Sequence, residues 1–401
     1  MRFDFTSVLD RRGKDALAVD AIGANGMFPA PKEGFDIIPM WVADMNFPVV
    51  SSVQKAISER LQHPTFGYFM PRDEYYQSII RWHQEHNGVN GLEKEHIGYE
   101  NGVLGGVVSA LNVLCSKGDK VLIHSPTYIG FTFSLKDNGY DIIHSPLKQD
   151  EQGIWRMDLE DMEKKLVENK IHAAIFCSPH NPTGRVWERW EIEQAMELYK
   201  KHNVWVISDE IWSDLLLDDH HHIPTQSVSE DARNRTVALY APSKTFNLAG
   251  LIGSYHIIYN DWLRDRCLKE SGLSHYNSMN VLSMYALIGA YGDEGNQWLR
   301  ELRSVLSDNV NFACNYILKH FSGVTLSRPQ GTYMLFLDCE KWCAQTGKTI
   351  NDLLKAGWDV GVYWQDGRAF HGPYHIRMNL ALPLSRVQEA FERLNQYVFN
   401  P

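Results

Sequence analysis

The chain has 401 residues, 44% of them hydrophobic, which is enough apolar material for a large core and two domains. Its formal net charge is −10, and acidic residues are interspersed with lysine and arginine. This pattern excludes a nucleic-acid surface, because phosphate binding needs clustered basic residues.

The amino-terminal sequence and the cysteines indicate the cellular compartment of the protein. Residues 1–20 are charged throughout and lack the apolar core of a signal peptide, and no apolar run approaches the length of a membrane span. The six cysteines show no Cys-x-x-Cys pair, which is typical of reduced thiols. We therefore predict a soluble, cytoplasmic protein with no nucleic-acid and no membrane partner.

Short apolar runs alternate with helical patterns between residues 97 and 259. This alternation predicts an α/β fold, in which a large domain has a mostly parallel sheet flanked by helices. After the amphipathic stretch 298–321, two strand patterns and one helix pattern predict a smaller α+β domain. The predicted division is an amino-terminal segment 1–45 that packs with the small domain, a large domain 46–290 and a small domain 291–401.

Individual elements can be predicted from the same patterns. The predicted helices are 103–115, 158–168, 188–202 and 349–356. The predicted strands are 120–124, 171–177, 204–207, 236–240, 332–338 and 375–380.

Polar or aromatic side chains follow the predicted strands of the large domain. Tyr128 follows strand 120–124, Asn181 lies in an Asn-Pro-Thr-Gly turn after strand 171–177, and Asp209 follows the apolar run 204–207. Open α/β sheets bind ligands at the carboxyl ends of their strands. Each residue also has a simpler interpretation, which is core packing for the tyrosine, a plain turn for the asparagine and a helix cap for the aspartate.

The most informative segment is 241–250, Ala-Pro-Ser-Lys-Thr-Phe-Asn-Leu-Ala-Gly. Lys244 stands in a turn directly after the predicted strand 236–240. A partly desolvated lysine loses its proton near neutral pH and becomes a nucleophilic amine that can condense with an aldehyde. The alternative is an ordinary solvated lysine.

Two further features concern charged side chains. Arg377 lies within an apolar strand pattern, where a guanidinium requires an anionic partner, either a bound carboxylate or an internal acid.

The run Asp-Asp-His-His-His at 218–222 could hold a metal ion. We predict a solvated loop without metal, because adjacent residues in a polar loop rarely converge on one ion.

The order of this tyrosine, asparagine, aspartate, lysine and arginine resembles that of the fold-type I pyridoxal-phosphate enzymes. This is the aspartate aminotransferase superfamily, which includes the class I and II aminotransferases, and the resemblance covers nearly the whole chain. Two segments, Trp-Val-Ala-Asp-Met at 41–45 and Ser-Lys-Thr-Phe-Asn-Leu-Ala-Gly at 243–250, look most like the cystathionine β-lyase, or C-S lyase, branch.

The resemblance implies pyridoxal 5'-phosphate as cofactor and gives each residue a role. Lys244, Asp209 and Tyr128 are implied to be catalytic. Lys244 holds the cofactor aldehyde, Asp209 keeps the pyridine nitrogen protonated, and Tyr128 covers one face of the ring. Asn181 is implied to bind the phenolate oxygen.

The phosphate and the substrate need further donors. Gly102 and Val103 open a predicted helix, where backbone N–H groups donate hydrogen bonds to an anion, and Ser243 adds a hydroxyl. Tyr68 is implied to reach the phosphate from the partner subunit of a homodimer. The resemblance also implies that Arg377 binds the substrate α-carboxylate, with the backbone of Ala43 beside it.

Three positions depart from relatives in the superfamily. Trp212 stands where many members have a tyrosine, and Ile252 where they have an arginine that meets the phosphate. Asn46 stands where lyase relatives often have an aspartate.

The resemblance implies an enzyme that eliminates the thiol from L-cystathionine or a related cysteine S-conjugate and yields pyruvate and ammonia. The alternative is an aminotransferase on the same scaffold. A third possibility is a regulatory protein that retains the cofactor site, which the absence of a DNA-binding segment before the enzyme-like region disfavours.

Overall fold

A computed structural model describes residues 2–23, 26–273 and 277–400. Its helices, in chain order, are α1 Leu17–Asp20, α2 Ser51–Leu61, α3 Asp73–Asn87, α4 Val103–Leu114, α5 Ile129–Asp137, α6 Leu159–Asn169, α7 Arg189–Lys201, α8 Glu230–Arg235, α9 Pro242–Thr245, α10 Asp261–Leu273, α11 Val281–Ala290, α12 Asp293–His320, α13 Glu340–Thr346, α14 Ile350–Asp359 and α15 Leu384–Leu394. Short 3-10 or π turns lie at Lys94–His96, Thr225–Ser227, Ala249–Leu251, Gly367–Phe370 and Asn395–Phe399. None of the helices in these described ranges combines the length and apolar character that a bilayer span requires.

The strands, in chain order, are β1 Ile38–Pro39, β2 Ile97–Glu100, β3 Lys120–Ser125, β4 Asp141–Pro146, β5 Lys148–Gln149, β6 Trp155–Arg156, β7 Ala173–Cys177, β8 Trp205–Asp209, β9 Thr236–Tyr240, β10 Ser254–Ile257, β11 Thr325–Leu326, β12 Met334–Asp338, β13 Val362–Tyr363, β14 Gln365–Asp366 and β15 His375–Asn379.

The central sheet of the described residues has seven strands in the order β2-β10-β9-β8-β7-β3-β4. The strands from β9 to β4 run parallel, whereas β10 is antiparallel to both of its neighbours. The central strands are apolar runs because helices cover both of their faces. The predicted α/β class, with a large and mostly parallel sheet, is confirmed.

Alternate residues of the central strands pack against opposite layers of helices. Ile175 and Ile207 belong to the apolar cluster that includes α4. Their neighbours Ala174 and Val206 belong to the cluster that includes α7. All four side chains are buried, so the two-residue period of the strand places core on both sides of the sheet.

The carboxyl ends of β7, β8 and β9 lie at one edge of this sheet. The register pairs Cys177 with Asp209, and Asp209 with Leu239. The segments that follow these strands are therefore neighbours. This edge carries the turn of Asn181, the side chain of Asp209 and the helix α9 of Lys244.

The carboxyl-terminal part contains a second, antiparallel sheet in the order β11-β12-β15-β14. In this sheet Arg377 of β15 is flanked by Phe336 of β12 and Gln365 of β14. The predicted smaller α+β unit is confirmed. Strand β1 pairs in parallel with β13, which joins the amino-terminal segment to this part of the chain. The domain boundaries at residues 45 and 290 remain a prediction.

Most elements differ from their predicted bounds by one to three residues, and two of these differences bear on the local structure. Strand β12 begins at Met334, two residues later than predicted, because Thr332 has a φ of 65°, outside the extended region. Helix α14 continues to Asp359, beyond the predicted end at residue 356. Its start is stabilised by Thr349, whose side chain accepts a hydrogen bond from the N–H of Asp352.

Candidate active site

Lys244 lies on the short helix α9, which begins directly after strand β9. Pro242 occupies the first turn of this helix, where an N–H group would have no intrahelical partner. The Nζ of Lys244 donates a hydrogen bond of 2.8 Å to the carbonyl oxygen of Ala43. Burial and, to a smaller extent, the positive charge of the nearby Arg377 lower the pKa of Lys244 to about 8. A fraction of this amine is therefore neutral and nucleophilic close to pH 7.

Asp209 ends strand β8, and only 4% of its surface is exposed. Its Oδ1 accepts a hydrogen bond of 3.1 Å from the N–H of Ile211, so it does cap the following turn. Burial raises the pKa of Asp209 to about 7, and the positive charge of Lys244 acts on it only as a smaller, opposing influence. Among the described residues, no cationic side chain lies within ion-pair distance of this carboxylate. A bound cation is the partner that this environment lacks.

The adjacent Glu210 is directed away from Asp209. Its carboxylate accepts hydrogen bonds from His222 Nε2 at 2.6 Å, from the Tyr240 hydroxyl at 2.6 Å and from the Thr225 N–H at 3.0 Å. The prediction that residues 218–222 form a solvated loop is wrong for His222, which is buried. A fully buried carboxylate requires donors, and this histidine turns inward to supply one.

Arg377 is buried, and burial lowers its pKa to about 10. Its Nη1 donates to Asn181 Oδ1 at 3.1 Å and its Nη2 to Gln365 Oε1 at 2.6 Å. The guanidinium carbon lies 4.3 Å from the ring centroid of Phe370. No carboxylate of the described residues lies within ion-pair distance of the Arg377 guanidinium. The internal acidic partner, which was one of the two alternatives from the sequence, is therefore not found among them. The buried Nε also has no hydrogen-bond partner in the described structure.

The start of helix α4 offers donors for an anion. Gly102, which precedes the helix, has a φ of 82°, a conformation that residues with a side chain rarely adopt. The N–H groups of the first turn have no intrahelical partners, and the helix dipole makes this end positive. The buried Ser243 of α9 faces the same space.

A cavity of about 420 Å³ opens at this edge of the sheet. The predicted site residues that line it are Ala43, Gly102, Val103, Tyr128, Asn181, Asp209, Ser243, Lys244 and Arg377. Tyr128 also packs edge-on against Phe131, with ring centroids 5.5 Å apart. Tyr68 is the exception, since it is fully exposed and lies beside Met279 on another part of the surface. The structure thus brings together all of these residues except Tyr68, and their chemical roles remain predictions.

Trp212 and Ile252, two of the departures from the superfamily, both line the cavity. Lys244 Nζ lies 5.7 Å from the Trp212 ring centroid, and this ring packs edge-on against Tyr333 at 4.8 Å. Ile252 has a φ of 47°, which is unusual for a β-branched residue, and its carbonyl accepts a 2.8 Å hydrogen bond from the Tyr99 hydroxyl. The cavity lacks the cation that an arginine at Ile252 would bring.

Trp41 and Gln365 also line the cavity, and no role is assigned to either from the sequence. The carbonyl oxygen of Trp41 accepts a hydrogen bond of 3.3 Å from Arg377 Nη2, and its indole N–H donates to the Ala18 carbonyl at 3.0 Å. The sequence contained a signal for Trp41, since it opens the lyase-like segment. It contained none for Gln365, which meets Arg377 only because β14 pairs with β15.

The family model for aminotransferases of class I and II matches residues 36–394 of this chain. The match covers most of the sequence and includes every residue of the cavity described above. The chain belongs to the aminotransferase class I and II family.

Individual relatives carry more specific names. Cystathionine β-lyase PatB of Bacillus subtilis strain 168 is 33% identical over 90% of this chain and 92% of its own length. Protein MalY of Escherichia coli K12 is 30% identical over 96% of each chain. The crystal structure of the pyridoxal-phosphate-bound C-S lyase from Staphylococcus hominis matches with a TM-score of 0.88 and 29% identity, covering 99% of both chains. The predicted superfamily is confirmed, and these similar proteins include the predicted branch.

Proposed function

We propose that the protein is a pyridoxal-phosphate-dependent lyase that cleaves the Cβ–S bond of L-cystathionine or related cysteine S-conjugates. The products are pyruvate, ammonia and a thiol. The convergence of Asp209, Lys244 and Arg377 on one cavity at the strand ends carries this proposal. The names of the most similar relatives and solved structures support it.

The polar residues of the cavity fit the ring of pyridoxal 5'-phosphate. Asp209 is a buried carboxylate in need of a positive charge, which a protonated pyridine nitrogen would provide. Lys244 has the lowered pKa that attachment to an aldehyde requires. Asn181 would bind the phenolate oxygen, and the ring of Tyr128 would cover one face of the cofactor.

The phosphate group fits the start of helix α4. Gly102 and Val103 would hold it with backbone N–H groups, and Ser243 would add its hydroxyl. These donors are neutral, and Ile252 contributes no charge. The phosphate of this enzyme would therefore be bound by dipoles and hydrogen bonds, with little direct ion pairing.

Arg377, Lys244 and Asp209 have different roles in the proposed reaction. When bound, the cofactor supplies a conjugated ring that accepts electron density from the substrate Cα. Arg377 holds the substrate α-carboxylate with its planar guanidinium, and Ala43 lies beside it. Lys244 Nζ takes the proton from Cα, and can then pass a proton to the departing sulfur. Asp209 remains ionised and balances the positive charge of the ring nitrogen throughout.

The charges of the cavity favour a lyase over an aminotransferase for dicarboxylates. Apart from Asp209, Lys244 and Arg377, the described residues that line it carry no charge. The side-chain carboxylate of aspartate or glutamate would have no cation to meet it. The distal carboxylate of L-cystathionine has its own ammonium group beside it, and Trp41 and Trp212 suit the thioether. An aminotransferase remains the second candidate, because the family name and the same lysine chemistry are compatible with it.

The deciding experiment compares two reactions of the purified protein supplied with cofactor. We expect pyruvate, ammonia and homocysteine from L-cystathionine, and at most slow transamination of alanine or aspartate with 2-oxoglutarate. The comparison is made by kcat/KM. If transamination of an ordinary amino acid exceeds pyruvate release, the lyase assignment is wrong and the aminotransferase stands.

The attachment site can be tested separately from the reaction. Borohydride reduction followed by peptide mapping should label Lys244, and Lys244→Ala should abolish covalent attachment. Lys148→Ala is the control, since Lys148 is an exposed lysine that pairs with Asp158. Labelling of any other lysine contradicts the assignment.

We also propose a homodimer with shared active sites, in which Tyr68 of each subunit reaches the phosphate bound by the other. Phe66, Tyr68 and Met70 form a short segment of large, highly exposed apolar side chains, which suits an interface. Tyr68→Phe should weaken cofactor binding, while Tyr374→Phe, also exposed, should not. Analytical ultracentrifugation that finds a fully active monomer would contradict the proposal.

The proposed location is the cytoplasm. All six cysteines are free, as is typical of proteins in a reducing compartment. Recovery of the native protein in a membrane or extracellular fraction would contradict this location.

A further inference from the structure

The loop of residues 41–46 forms one wall of the cavity, and Asn379 holds it from the side of the small sheet. The amide Nδ2 of this buried asparagine donates to the carbonyl oxygens of Val42 and Asp44, at 2.8 and 2.6 Å. Its Oδ1 accepts from the Ala381 N–H at 2.7 Å, which fixes the orientation of the amide. One buried side chain therefore holds the carbonyls on both sides of Ala43.

Asn247 binds the same loop from the side of Lys244. It lies three residues after Lys244 in the chain. Its Oδ1 accepts a hydrogen bond from the Met45 N–H at 3.0 Å, and its Nδ2 donates to the Met45 carbonyl at 2.9 Å. Both backbone groups of one residue are thus bound by one amide. Asn247 has a φ of 56°, which asparagine tolerates better than most residues.

Two further carbonyls of the loop accept hydrogen bonds from cationic side chains of the cavity. That of Trp41 accepts from Arg377, and that of Ala43 accepts from Lys244. In contrast, the N–H groups of Val42 and Ala43 donate to no acceptor in the described part of the chain. Both residues line the cavity, as does Arg377.

We propose that Asn247 and Asn379 are positioning residues for the α-carboxylate of the substrate. Because they occupy the carbonyl oxygens of the loop, they fix the peptide planes so that the N–H groups of Val42 and Ala43 remain available beside Arg377. A carboxylate bound by the guanidinium then gains two further donors. The proposal rests on an amino-acid substrate, as proposed above, and holds for elimination and for transamination alike.

The test compares two ligands that differ only in the carboxylate, L-alanine and ethylamine, by calorimetric titration of the holoenzyme. L-Alanine has no leaving group at Cβ, so elimination does not occur during the measurement. Asn247→Gly removes both hydrogen bonds and keeps the backbone conformation accessible. We expect its Kd for L-alanine to rise about tenfold or more, as the loss of two hydrogen bonds implies, and its Kd for ethylamine to stay within about twofold. In the lyase assay, KM should rise more than kcat falls.

A matched control exists at Asn203, which has a similar φ of 54° and is exposed. Its side chain makes no hydrogen bond with the described residues, so Asn203→Gly changes the backbone alone and should leave both affinities unchanged. Should Asn247→Gly fail to fold, Asn247→Asp decides, because it keeps the size and the acceptor but loses the Nδ2 donor. We expect the same selective loss of L-alanine affinity from this variant.

Unchanged affinity for L-alanine overturns the proposal. An equal loss for ethylamine also overturns it, because the effect would then be structural and not directed to the carboxylate. Failure of the proposed reaction is recognised separately. In that case the wild-type protein releases no pyruvate but still binds L-alanine, whereas the Asn247→Gly variant loses affinity for it. If the wild-type holoenzyme binds no L-alanine, the amino-acid substrate and this proposal fail together.

Discussion

Asp209 is held in surroundings that disfavour its own charge. Burial raises its pKa to about 7, and the described residues offer no ion-pair partner. A positive charge on a bound ring reverses this effect, because an opposite charge nearby favours the ionised carboxylate. The carboxylate and the protonated ring therefore stabilise each other.

We expect Asp209→Asn to fold and to retain most of its cofactor, because the amide can still accept the hydrogen bond from the Ile211 N–H. Its kcat should fall by several orders of magnitude, and each tenfold loss corresponds to about 1.4 kcal/mol of transition-state stabilisation. The measurements are steady-state kinetics and thermal unfolding.

Glu210→Gln is the matched control, because Glu210 is adjacent and buried but binds His222 and Tyr240 instead of facing the cavity. We expect this variant to lose stability, since an amide cannot accept all the hydrogen bonds that the carboxylate accepts. Near-normal turnover in Asp209→Asn would show that Asp209 only caps a turn.

At the level of elements, the start of helix α4 depends on the backbone of Gly102. Alanine there must adopt a strained φ, which costs about 1–3 kcal/mol of folding stability, although no neighbouring atom blocks its Cβ. Gly118→Ala is the matched control, since Gly118 has a φ of 87° and equally open surroundings but lies outside the cavity. Both variants should lose stability, whereas only Gly102→Ala should also raise the Kd for pyridoxal phosphate, by about tenfold for a displaced anion contact.

Denaturant unfolding and absorbance titration measure the two effects of the glycine variants. Equal cofactor affinities in the two variants would mean that the conformation at Gly102 does not shape an anion site.

Elements that a local sequence pattern marks could be predicted. Pairings between strands that lie far apart in the chain could not. Strand β9 and the lysine after it were recognisable, because a buried parallel strand is an unbroken apolar run and the polar turn follows it directly. Strand β10 joins the sheet antiparallel between β9 and β2, a pairing of Tyr255 with Tyr99 that no local pattern indicates. The roles of Asn379 and Gln365 were hidden for the same reason, since their partners lie far away in the chain.

The whole molecule should lose stability in mild acid, because buried histidines resist protonation. Burial lowers the pKa of His83 and His124 to about 4 and that of His180 to about 3. In the unfolded chain these pKa values are about 6.5, so between about pH 6.5 and pH 4 the unfolded state binds more protons and stability falls as pH falls. Without bound cofactor, the raised pKa of Asp209 acts in the opposite sense, but one carboxyl does not offset three histidines.

Denaturant unfolding between pH 7.5 and pH 5 measures this dependence. Each histidine contributes at most about 1.4 kcal/mol per pH unit, and His124→Phe should reduce the slope by up to that amount. His221→Gln, at an exposed position, should leave the slope unchanged. Constant stability across this range would contradict the prediction.

All six cysteines fall in the described part of the chain, and all are free. Burial raises the pKa of every thiol, to about 12 for Cys115 and Cys267 and about 11 for Cys314. The thiolate is the reactive form, so these side chains neither attack disulfides nor become readily oxidised near neutral pH. An enzyme that releases homocysteine or another thiol generates a reductant and, after oxidation, mixed disulfides around itself. With no disulfide to be reduced and little thiolate to be capped near neutral pH, the cysteines of this protein resist covalent attack by such a product.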